Sequence, residues 1–144
     1  MPVYYIDTSA LVKRYHVEPG SQRLDELFGD PASTFLTANI ALTEITSALD
    51  RKAQEGMLTR DALATVLAAV ARDLLEEFWL IEVERVHILS SQELILRHHL
   101  RTLDALHLAV LLSLRDLAPT LVCADQRLLE AARQERLAVL DPVS

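Results

Sequence analysis

A chain of 144 residues with 51% hydrophobic and 24% charged side chains has the size and composition of one folded domain, which excludes a disordered or low-complexity protein. Its net charge of −7 excludes a protein that coats nucleic acid through bulk positive charge. An enzyme whose clustered acids are neutralised by cations is compatible with that charge, as is a protein held by a basic partner. The lone cysteine, Cys123, rules out an internal disulfide and fits a reducing compartment. The segment MPVYYIDTSA lacks a basic region followed by a long apolar run, so no signal peptide is expected. The uncharged stretch around Leu106 to Leu114 is too short to span a bilayer and contains His107. The expectation is a cytoplasmic protein with no membrane span and a single domain over residues 1–144.

In chain order, Val3 to Ile6 is apolar, β-branched and aromatic and reads as a buried strand. Asp7, Thr8 and Ser9 follow at once, then a short helix through Leu11, Val12 and Tyr15. A Pro-Gly turn precedes Ser21, which is expected to cap a helix ending at Gly29. Thr34 to Thr37 is a second strand. A long helix is expected from about Asn39 to Gln54, with Gly56 as its C′ residue. Thr59 caps an amphipathic helix to about Phe78, and the alternating LIEVE, Leu80 to Glu84, reads as a third strand. A helix over Val86 to Arg97 comes next, then one around LDALHLAVLLSL. Thr120 to Ala124 is a fourth strand, followed by Asp125 and the helix QRLLEAARQ, and Ala138 to Leu140 is a short last strand. Strands alternating with helices imply an α/β domain, with a mostly parallel sheet of four to five strands flanked by helices.

Four acids stand out against this pattern. Asp7 and Asp125 each sit where a strand ends and a helix begins, the edge at which α/β sheets bind ligands. Each could equally be an N-cap. Glu44 interrupts an apolar helix face formed by Ile40, Ala41 and Ala48. From Leu103 to Leu112 every side chain is apolar except Asp104 and His107, three apart on one face of a helix otherwise suited to the core. If the four carboxylates meet, they repel one another unless a divalent cation sits among them. Oxygen-only ligation selects Mg²⁺ or Mn²⁺ over zinc.

At these residues the sequence resembles the PIN-domain nucleases, and within them the VapC-type toxins of toxin–antitoxin pairs. The matching segments are YIDTSALVKRY, ALTEITSAL, LRTLDALHLAVL and VCADQRLLEAA, in the family's order and covering nearly the whole chain. The resemblance implies a PIN-like fold and a Mg²⁺- or Mn²⁺-dependent endoribonuclease. Asp7, Glu44 and Asp104 match its first three acids, and Asp125 the more variable fourth. Ser9 matches a supporting hydroxyl, and His107 is expected to orient Asp104 or to contact a phosphate. A homodimer and a basic antitoxin partner are implied too. The helices between Ile40 and Phe78 are the expected partner surface. Cys123 departs from the pattern, since many relatives carry Thr or Ser two residues before the fourth acid.

The implied reaction is hydrolysis of an RNA phosphodiester by metal-activated water, leaving a 5′ phosphate and a 3′ hydroxyl. Cations should rim such a site, with Lys13, Arg14, Arg101 and Arg127 closest in sequence to the acids. Two other readings compete. An aspartyl-phosphate phosphotransferase would want D-x-D at Asp7, but Ser9 stands at the second place. A catalytically silent binding module would have no use for Asp104 on an apolar helix.

Overall fold

The computed structural model describes residues 1–144. Its strands are β1 (Val3–Ile6), β2 (Thr34–Ala38), β3 (Phe78–Ile81), β4 (Thr120–Val122) and β5 (Ala138–Leu140). The helices are α1 (Thr8–Tyr15), α2 (Ser21–Phe28), α3 (Ile40–Gln54), α4 (Arg60–Glu76), α5 (Arg85–His98), α6 (Thr102–Ser113) and α7 (Gln126–Gln134). A single 3₁₀ turn, Arg115–Leu117, follows α6. All strand pairs are parallel and the sheet order is β3-β2-β1-β4-β5. The chain winds outward from β1 in one direction and then from β4 in the other. The boundary between them is the topological switch point, where the crevice of such sheets opens.

Helices cover both faces of the sheet, so side-chain alternation distributes the strand residues between two cores. Tyr5, Leu36 and Leu121 point to one side and pack with Leu94, Leu108, Leu111 and Leu128 of α5, α6 and α7. Ile6, Phe35 and Val122 point to the other and meet Leu11, Leu24, Ile45, Leu49, Val70 and Leu74 of α1 to α4. The result is three layers, helix, sheet and helix, as the alternation of elements in the sequence requires.

Several sequence expectations shift. The third strand lies two residues earlier than expected, at Phe78–Ile81, and α4 stops at Glu76. Period-two alternation is the wrong guide here, because β3 is an edge strand with Trp79 exposed and the alternating residues Glu82 to Glu84 lie beyond its end. Phe78 and Trp79 pair in register with Phe35 and Leu36. The alternating residues after Ile81 lead into α5: Val83 N–H donates to Asn39 Oδ1, and Glu84 is the N-cap. Ser21 is not the cap of α2. Gly20 is, at φ +99°, while the Ser21 hydroxyl donates to the Lys13 carbonyl. Thr59 does cap α4, accepting from Ala62 N–H at 3.1 Å. Gly56 takes the left-handed conformation, φ +82°, expected just beyond α3. No helix is long and apolar enough to cross a membrane.

Candidate functional site

The carboxyl ends of β1 and β4 open onto a cleft of about 690 Å³. Asp7, Glu44, Asp104 and Asp125 all line it, brought there by four different elements. Only three of its fourteen lining residues are hydrophobic, which suits a charged ligand and not an apolar small molecule.

Asp7 follows β1 directly and is buried. Its N–H continues the sheet ladder to the Val122 carbonyl at 3.0 Å. Its Oδ2 accepts from the Ser9 N–H at 3.1 Å and from the Ser9 hydroxyl, so it is the N-cap of α1. Oδ1 is left facing His107 Nε2 at 3.7 Å. Capping and a place in the cleft are therefore compatible: one carboxylate oxygen serves each. Asp125 divides in the same way. Oδ1 caps α7 by accepting from Arg127 and Leu128 N–H, and Oδ2 accepts from Arg101 Nη2 at 3.0 Å.

Glu44 reaches the cleft from α3. Its Oε1 accepts from the Thr8 hydroxyl at 3.1 Å and lies 2.5 Å from His107 Nε2. His107 is 1% exposed, and its Nδ1 lies 2.7 Å from the Tyr5 hydroxyl. Burial and the Asp7 charge hold the Tyr5 phenol protonated; to a neutral imidazole it donates at Nδ1, while Nε2–H donates to Glu44. Burial disfavours charge on His107, yet the Glu44 hydrogen bond and the charges of Asp7, Glu44 and Asp104 outweigh it and raise its pKa.

The expectation that His107 orients Asp104 is corrected. The two share a side of α6, but His107 sits a turn deeper, and its ring crosses to α3 and β1. Asp104 pairs instead with Arg101, whose Nε lies 3.5 Å from Oδ2. Partial burial, then the charges of Asp7 and Asp125, push the Asp104 carboxyl up to about 6.

The cation rim also differs from expectation. Lys13 is buried and pairs with Glu18; Arg14 lies over the Phe28 ring and pairs with Glu77. Neither lines the cleft. Arg101 does, together with Arg51, which the sequence reading overlooked. Arg51 is seven residues after Glu44 and Ser47 three after it, a helical spacing that places all three on one face of α3. Thr8 and Tyr5 were missed as well. Tyr5 could have been found from strand alternation, which turns it toward the layer holding His107.

Cys123 fills its place without a hydroxyl. Its sulfur accepts from Asp125 N–H at 3.2 Å, and the Ser9 hydroxyl takes the Ala124 N–H at 3.0 Å. Burial and the neighbouring Asp7 push the thiol well above its ordinary range, so it is a neutral packing group.

The donors are carboxylate oxygens, and the imidazole is engaged through both nitrogens, a set that suits a hard divalent cation over zinc. In the side-chain positions seen here, no three acids or histidines stand close enough to share one ion. Glu44 is held by Thr8 and His107, Asp104 and Asp125 by Arg101.

The PIN domain family model matches residues 4–134, and the chain belongs to the PIN-domain family. Its relatives place it among the VapC-like members. Ribonuclease VapC35 of Mycobacterium tuberculosis is 33% identical over 141 residues, 96% of both chains. In three dimensions the chain is similar to the crystal structure of Mycobacterium tuberculosis VapC20, a sarcin-ricin loop cleaving toxin. The TM-score is 0.69 at 19% identity, over 90% of this chain and 94% of that one. A toxin–antitoxin complex from Klebsiella pneumoniae contains a similar chain, with TM-score 0.63 at 16% identity over 96% and 97%.

Proposed function

We propose that this PIN-domain protein is a VapC-like endoribonuclease toxin that hydrolyses RNA phosphodiester bonds with Mg²⁺ or Mn²⁺, and that Asp7, Glu44, Asp104 and Asp125 hold the cation. The observation that carries the reading is the arrival of all four carboxylates in one polar cleft at the switch point of a parallel sheet. Asp104, whose pKa is raised first by burial and then by the charges of Asp7 and Asp125, is a carboxyl that a cation in the cleft would help to ionise. Held by these carboxylates, a divalent cation would supply Lewis acidity, lowering the pKa of water and offsetting negative charge on the phosphodiester oxygens.

The chain's own residues supply the rest. Ser9 fixes the rotamer of Asp7 through two hydrogen bonds to Oδ2. Tyr5 and His107 form a relay from the core that holds Glu44 on the cleft wall, and Thr8 steadies the same oxygen. Arg51 and Arg101 offer positive charge to substrate phosphates in an otherwise acidic cleft. The proposed setting is the cytoplasm, with a homodimeric assembly. A basic antitoxin is the proposed partner, supported by the toxin–antitoxin complex among the structural neighbours and by the net charge of −7.

The test is cleavage of unfractionated cellular RNA with and without Mn²⁺ by the unaltered chain, Asp7→Asn and Asp104→Asn. Cleavage that needs Mn²⁺ and is lost in both variants is expected. Undiminished cleavage by either variant removes the mechanism.

A further inference from the structure

Arg101 is the only lysine or arginine whose side chain pairs with any of the four acids, and it pairs with two. One guanidinium reaches Asp104 on α6 through Nε and Asp125 at the start of α7 through Nη2. The arginine is 73% exposed, so the bridge lies at the mouth of the cleft and is weakly held. Arg101 and Asp125 also line a second, shallower depression, whose other cation is the exposed Arg127. The bridge is therefore a partition between the acid cleft and a basic step beside it. A planar guanidinium fits carboxylate and phosphate alike.

We propose that Arg101 exchanges partners during the reaction. In the cation-free protein it bridges Asp104 and Asp125; when a divalent cation takes those carboxylates, the guanidinium turns to a phosphodiester of the bound RNA. Arg127 then meets a neighbouring phosphate in the adjoining depression, so the strand leaves the cleft across the former bridge. The proposal rests on the nuclease reading above and adds the residues that grip the substrate. In the cation-free protein Arg101 occupies the Oδ2 atoms of Asp104 and Asp125, oxygens that a cation would have to take.

The experiment measures Mn²⁺ affinity by calorimetry without RNA, and KM and kcat on unfractionated cellular RNA. The proteins are the unaltered chain, Asp7→Asn, Arg101→Ala, Arg101→Lys and Arg127→Ala. Arg101→Ala is expected to bind Mn²⁺ about three- to tenfold more tightly and to raise KM about tenfold, because a competitor for the cation and a phosphate contact are lost together. Arg101→Lys should recover part of the KM. Arg127→Ala should raise KM while leaving Mn²⁺ affinity unchanged. Unchanged or weaker Mn²⁺ binding by Arg101→Ala overturns the proposal, as does an unchanged KM. Equal tightening by Arg127→Ala also overturns it, because that is the signature of bulk charge. If Mn²⁺ binding depends on Asp7 but ignores Arg101, only this inference falls; if it does not depend on Asp7, the nuclease reading falls with it.

Discussion

Asp104 holds its proton more tightly in the folded chain than in the unfolded one. Its carboxyl stands at about 6, pushed up by partial burial and by Asp7 and Asp125, against roughly 3.9 for a free aspartate. The stability this contributes is complete below about pH 4 and lost as pH rises through about 6. An asparagine there is neutral at every pH. In chelator-treated protein, Asp104→Asn should therefore melt above the unaltered chain near pH 7.5, and the gap should close toward about pH 4.5. Thermal melts of both proteins across that range check it; a gap of constant size contradicts the assigned cause. Tyr5 gives a second test. Its hydroxyl is the partner of a buried imidazole nitrogen, and Tyr5→Phe leaves that nitrogen unsatisfied in the core. Denaturant titration should show a loss of about 1–3 kcal/mol. The partly exposed Tyr4, on the opposite face of the same strand, should lose less than about 0.5 kcal/mol on the same change.

The strand-to-helix junctions carry two duties, and substitutions can separate them. Asp7 caps α1 with one oxygen and faces His107 with the other. Asparagine caps a helix as well as aspartate does, whereas alanine cannot. Asp7→Asn keeps the cap and relieves the repulsion on Asp104, so it should be no less stable than the unaltered chain while losing cleavage. Asp7→Ala should lose cleavage and about 1 kcal/mol besides, read by denaturant titration. Instability of Asp7→Asn as large as that of Asp7→Ala would show that the negative charge, not the cap, holds α1. The same double duty explains what the sequence reveals. Asp7 and Asp125 announce themselves because a strand, an acid and a helix follow without a loop. Glu44 and Asp104 are visible as charges on faces that should be apolar. β3 starts earlier than its pattern suggests because Glu82 and Glu84 imitate alternation in a segment that serves as the lead into α5. The Tyr5–His107–Glu44 relay was hidden for a different reason. Its members come from β1, α6 and α3, and only the order of strands in the sheet makes them neighbours.

At the scale of the molecule, an excess of seven negative charges is met by a fold that gathers four carboxylates where its two halves part. Gathering them raises the energy of the cation-free folded state: at Asp104 burial comes first, and the charges of Asp7 and Asp125 add to it. A cation that binds only the folded arrangement must stabilise it by mass action. At a Mn²⁺ concentration about a hundred times the dissociation constant, the gain is about 2.7 kcal/mol, which for a chain of this length raises Tm by on the order of 5–10 °C. The rise should follow the logarithm of Mn²⁺ concentration above saturation, disappear in Asp7→Asn, and be absent when NaCl supplies the same ionic strength. Differential scanning calorimetry reads all three. A rise that survives Asp7→Asn would mean that Mn²⁺ is screening the acidic surface at large, and the four carboxylates would then be a cluster without a resident ion.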